Sequence, residues 1–134
     1  MKVVLDASVA VAAARVNEPF HLKSRALVAR ILGGVDDAVV PIIFPIEVAA
    51  SLTRVGEDVG VVRKYVDALL NVVEDMTGVG SLRARQIRDV AIASRLRAAD
   101  AMYVWLAIRE QVPLVTLDRE LIERGSSFCN VIEP

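Results

Sequence analysis

Five short runs, each too brief to stand as a helix, punctuate a chain that otherwise reads as helical. They are Lys2–Asp6 (KVVLD), Asp37–Pro41 (DAVVP), Asn71–Met76, which also suits the last turns of the helix before it, Val112–Thr116 (VPLVT) and Phe128–Ile132. Length and β-branching mark the first as a strand buried on both faces, and Val112–Thr116 is the clearest of the later ones. Helical segments fall between them at Ala7–Ala14, Pro19–Leu32, Phe44–Val55, Asp58–Leu70, Ser81–Leu96, Asp100–Glu110 and Arg119–Arg124. Pro45 suits a first helical turn, and Gly33-Gly34, Gly56 and Gly125 suit helix ends. Strands that alternate with helices pair in parallel through right-handed crossovers. The expected fold is therefore α/β: a three-layer α/β/α sandwich around a central, mainly parallel five-stranded sheet.

The chain has 134 residues without a repeat or linker, so residues 1–134 are expected to form one domain. Apolar residues make up 54% and aromatics 4%, which assigns the core to Val, Ala, Leu and Ile. A net charge of −1 excludes a strongly basic nucleic-acid clamp as a description of the whole chain. One cysteine and one histidine exclude an intrachain disulfide and a His-rich zinc site, and point to a reducing, cytoplasmic setting. The longest charge-free run, Ala38–Ile46, falls far short of the roughly 20 residues a membrane span needs. Asp6 interrupts the apolar N-terminal stretch and argues against a signal peptide.

Four acids fall where such a sheet presents its ligand-binding edge. Asp6 ends the first strand, Glu47 sits in the first turn of the helix after the second, and Asp118 follows the fourth. Asp100 opens the helix that feeds that fourth strand. Strand C-termini and the helix N-termini that follow them share one edge of an open parallel sheet. Each acid also has a local explanation, as an N-cap or a first-turn acid favoured by the helix dipole. Yet Asp6, Glu47 and Asp100 each lie between apolar neighbours, where clustered carboxylates are desolvated and repel one another. A bound divalent cation removes that penalty. All-oxygen ligands favour Mg²⁺ or Mn²⁺, which suits phosphodiester cleavage by a metal-activated water.

The motifs Val3-Val4-Leu5-Asp6-Ala7-Ser8-Val9, Pro45-Ile46-Glu47-Val48, Ala99-Asp100-Ala101 with Tyr103 and Ala107, and Leu114-Val115-Thr116-Leu117-Asp118 occur in an order that resembles PIN-domain ribonucleases. The likeness is greatest to the VapC toxins of toxin–antitoxin pairs. The resemblance implies that Asp6, Glu47, Asp100 and Asp118 are catalytic and ligate Mg²⁺ or Mn²⁺. Ser8 and Thr116 match the small hydroxyl residues that accompany such acids. It further implies an endoribonuclease acting on RNA, a homodimer, and a VapB-like antitoxin whose basic side chain could pair with the carboxylates.

Arg85, Arg88 and Arg95 form a stripe at helical spacing that could track RNA phosphates, or else a solvated face with Asp89 as counter-charge. His21 reads as a surface or half-buried helix residue, Cys129 as a small buried hydrophobe, and Tyr103 and Trp105 as core or interface. Val11, Phe20, Leu27, Val28 and Ile31 are spaced to present an apolar patch for a partner, or to fill the core. A phosphoacceptor receiver is excluded by the single acid at Asp6 and the lack of lysine after Lys64. Asp6-Ala7-Ser8 lacks the second acid of an Asp-x-Asp phosphatase, and no phosphate-binding Gly-Lys loop occurs. The alternative from another class is a catalytically inactive PIN-fold scaffold that binds RNA or protein.

Overall fold

The apolar run KVVL forms β1 (Lys2–Leu5), and β1 is the middle strand of the sheet. The computed structural model describes residues 1–134. After β1 come α1 (Ala7–Ala14), α2 (His21–Leu32), β2 (Asp37–Pro41), α3 (Phe44–Arg54), α4 (Val59–Val72) and β3 (Asp75–Thr77). Then follow α5 (Ser81–Ser94), α6 (Ala98–Glu110), β4 (Leu114–Val115), a π-helical turn (Leu121–Gly125) and β5 (Val131–Ile132). The strand order is β3-β2-β1-β4-β5 and every pairing is parallel. Helices α1 to α4 pack among themselves, while α5 packs on α6 and α6 on β1, β2 and β4, which makes the expected sandwich.

The order matters for function. The chain winds from β1 outward to β3, then returns through α6 to place β4 on the other side of β1. The C-terminal ends of β1 and β4 therefore flank the point where the winding reverses, the place where open α/β sheets leave a crevice. Leu5 pairs with Val115 there, so Asp6 and Thr116 emerge side by side.

The core is one cluster of 29 buried apolar residues, and it includes Leu27, Val28 and Ile31. Those three belong to the core and not to a partner patch; only Phe20, 42% exposed, and half-buried Val11 remain near the surface. Tyr103 and Trp105 are buried as expected of core residues. His21 is buried rather than superficial, because its Nδ1 lies 2.9 Å from the Ala12 carbonyl oxygen and ties α2 to α1. Cys129 is half-buried.

Several boundaries move, each for a local reason. Asn71 and Val72 continue α4 instead of starting a strand, and β3 begins only at Asp75, once the Glu74 N–H reaches the Ala38 carbonyl at 2.8 Å. Pro19 and Phe20 form a turn ahead of α2. The α5 helix stops at Ser94 because Arg95 adopts a left-handed conformation with φ of 57°. Val112 and Pro113 precede β4. The N–H groups of Phe128 and Cys129 both turn back to the Gly125 carbonyl, so β5 is confined to Val131–Ile132. Asp100 does not open its helix: Arg97 is the N-cap residue, and Asp100 is the third residue of α6. The capping explanation of Asp100 is thereby removed.

Candidate active site

Asp6 follows β1 directly and caps α1, its Oδ2 accepting the Ser8 N–H at 3.3 Å. The same oxygen accepts hydrogen bonds from the Ser8 hydroxyl and, at 2.8 Å, from the Thr116 hydroxyl. Both hydroxyls are aimed by the backbone. Ser8 Oγ accepts the Leu117 N–H and Thr116 Oγ1 the Asp118 N–H, each at 3.0 Å, so their protons are left for the carboxylate. Burial pushes the Asp6 carboxyl up to about 6, against the hydroxyl hydrogen bonds that favour its charged form.

Glu47 projects from the first turn of α3, and its Oε1 accepts the Tyr103 hydroxyl at 2.7 Å. Partial burial raises its pKa, with Asp100 and Asp118 as further repulsive neighbours. Asp100 is 8% exposed, and its Oδ2 is buried without a hydrogen-bond partner. Burial, then the charge of Asp118, push its carboxyl up to about 6. Asp118 uses Oδ1 to accept the N–H groups of Glu120 and Leu121 at 2.8 and 3.2 Å, so here the capping explanation and a place at the site coexist.

The four carboxylates line one cavity of about 370 Å³, together with Ser8, Ser51 and Arg97. They do not form a ready-made ion cage: no three of them converge closely enough to hold a metal as they stand. Asp6, Glu47 and Asp118 each have one oxygen committed to a protein donor, and Arg97 lies against Asp100 and Asp118. The donor set nevertheless fits a hard divalent cation. It is all oxygen, it is partly desolvated, and the buried Asp100 Oδ2 accepts no hydrogen bond and faces only the Arg97 guanidinium at 3.4 Å.

Two cavity neighbours have roles that the reading of the sequence did not assign them. Tyr103 is a fully buried residue whose hydroxyl holds Glu47, and Arg97 lies in ion-pair range of Asp100. Both stand three residues from Asp100 in sequence, one on each side. Helical spacing from an established acid was the signal that could have found Tyr103. Arg85, Arg88 and Arg95 are exposed and none lines the cavity. Arg88 pairs with Asp89 at 3.0 Å, and Arg95 lies just past the end of α5.

A sequence profile of the PIN domain family matches residues 3–126. The chain belongs to the PIN domain family. No protein of curated function matches it in sequence. Among solved structures, the PIN fold of this chain is similar to PAE2754 from Pyrobaculum aerophilum, at 19% identity and a TM-score of 0.72, covering 99% of this chain and 89% of that one. It is also similar to the sarcin–ricin-loop-cleaving toxin VapC20 of Mycobacterium tuberculosis, at 15% identity and a TM-score of 0.73 over 98% and 99% of the two chains. A third is VapBC2 from Rickettsia felis bound to a promoter DNA fragment, at 14% identity and a TM-score of 0.67 over 100% and 99%. At such identities the likeness is one of fold.

Proposed function

We propose that this PIN domain is a Mg²⁺- or Mn²⁺-dependent endoribonuclease, the toxin of a toxin–antitoxin pair. The observation that carries the reading is the cavity itself. Four chain segments deliver Asp6, Glu47, Asp100 and Asp118 to it, and one buried oxygen of Asp100 accepts no hydrogen bond. A divalent cation held by these carboxylates would supply an activated water and charge stabilisation at a scissile phosphate.

The chain's own contribution is positioning. The Ser8 and Thr116 hydroxyls hold Asp6 by one oxygen, and the Tyr103 hydroxyl holds Glu47. The backbone N–H groups after Asp118 fix its Oδ1. These hydrogen bonds hold one oxygen of each carboxylate and leave the other to converge on a cation. Arg85, Arg88 and Arg95, exposed on and just beyond α5, would carry RNA phosphates toward the cavity.

The partners in this reading are RNA, a second copy of the chain, and a VapB-like antitoxin, in a cytoplasmic setting. VapBC2 and FitAB, the relatives solved with partners or DNA, support the antitoxin. No helix is long and apolar enough to cross a membrane. The apolar side chains left for partners include Val16 and Leu22 flanking Phe20, and Val59 and Val61 on α4. A second reading is a catalytically inactive PIN-fold scaffold that binds RNA or protein.

Incubating total cellular RNA with the protein in Mg²⁺, Mn²⁺ or EDTA separates the two. Cleavage with either metal and none in EDTA is expected. RNA bound but uncut in all three would establish the scaffold.

A further inference from the structure

Arg97 is the only cationic residue lining the acidic cavity. Its Nε lies 3.4 Å from Asp100 Oδ2 and 3.7 Å from Glu120 Oε2, and its Nη2 lies 3.8 Å from Asp118 Oδ2. All three separations exceed a good hydrogen bond. The Asp100 oxygen it faces has no hydrogen-bond partner at all. Elsewhere this protein fastens arginines firmly: Arg30 Nε donates to Asp36 at 2.7 Å, and Arg124 Nη1 to the Arg95 carbonyl at 2.7 Å. Arg97, with its side chain 74% exposed, is attracted to the cavity without being fastened to it.

We propose that Arg97 is a phosphate-positioning residue held in reserve. It stands over Asp100, Asp118 and Glu120 in the metal-free protein and turns to an RNA phosphate when a divalent cation takes over the carboxylates. The inference rests on the nuclease reading above and concerns how that site meets its substrate. Four carboxylates repel a phosphodiester, so a lining cation free to face it has a large effect on binding. A guanidinium presents a planar fork that matches two phosphate oxygens, and the loose tether at Arg97 leaves that fork uncommitted. The positive charge that relieves the empty carboxylates also opposes an incoming dication. Metal and arginine therefore compete for the same two acids, and metal entry frees the arginine when phosphate arrives.

The first test needs no RNA. Calorimetric titration with Mn²⁺ is run on the wild type, on Arg97→Gln, and on Arg63→Gln, which removes an equal charge from exposed α4. Arg97→Gln is expected to bind Mn²⁺ roughly three- to tenfold more tightly, with Arg63→Gln unchanged. The second test measures cleavage and RNA binding at saturating Mn²⁺. Arg97→Gln is expected to raise KM several-fold and to flatten the salt dependence by about one counterion, with Arg97→Lys restoring part of the loss. Equal Mn²⁺ affinity in wild type and Arg97→Gln overturns the reserve role and leaves the metal centre standing. No Mn²⁺ binding by either protein overturns the metal centre and this inference together. Tighter Mn²⁺ binding with unchanged KM and salt slope overturns the phosphate role.

Discussion

Asp100 carries the clearest local consequence, because its buried oxygen has no donor to lose. Without metal its carboxyl, like that of Asp6, is pushed up to about 6, whereas an unfolded chain releases these protons near 3.8. Between those values the folded state binds more protons, so this contribution to stability is full below the window and is lost as pH rises through it. Melting temperature in EDTA is expected to fall between pH 4 and 6.5, and Asp100→Asn is expected to blunt that fall. At pH 7 the variant should be more stable than wild type by about 1–3 kcal/mol and inactive on RNA. Identical pH profiles for the two proteins would show that Asp100 is not strained by its surroundings. Tyr103→Phe removes one hydroxyl and its 2.7 Å hydrogen bond to Glu47. It is expected to weaken Mn²⁺ binding severalfold with a stability change of about 1 kcal/mol; an unaltered Mn²⁺ isotherm would leave Tyr103 a core residue only.

At the scale of elements, the exposed arginines on α5 and just past its end offer a graded test. Alanine at Arg85, Arg88 and Arg95 together is expected to weaken RNA binding regardless of sequence and to lower its salt slope by about one per lost phosphate contact. The same slope in the triple variant makes that face a solvated one. How much of each element was legible depended on what terminates it. The α1 and β2 spans were readable to the residue, because Asp6 supplies an N-cap and Asp37–Pro41 is a short run with apolar Ala38–Val40 at its centre. The join of α4 and β3 was not. Val72 and Val73 suit either state, and the boundary is fixed by the Glu74 N–H reaching a carbonyl of β2, a partner remote in sequence. The acids were legible as a set because they follow strand ends, as Asp6 and Asp118 do, or sit in first helical turns, as Glu47 and Asp100 do. Their orientation was not, since Tyr103 and Arg97 act through side-chain directions that no strand count reveals.

For the molecule as a whole, a cation bound only by the folded state must raise its melting temperature by mass action. At free Mn²⁺ about a hundred times its dissociation constant, a gain of about 2.7 kcal/mol and so about 10 °C is expected. A melting curve indifferent to Mn²⁺ would remove the metal centre. Sheet topology adds a constraint in time. Thr116 lies 110 residues beyond the Asp6 that it holds, and β4 joins β1 only after β2 and β3 have already been made. Synthesis at about 5–20 residues per second puts those two side chains roughly 5–20 seconds apart. Until that interval closes Asp6 is without its Thr116 hydroxyl, and the wall that Asp100 and Asp118 provide is incomplete. On the nuclease reading, the blade is thus forged late: there is no edge to cut with until Thr116 and Asp118 have joined the Asp6 made long before them.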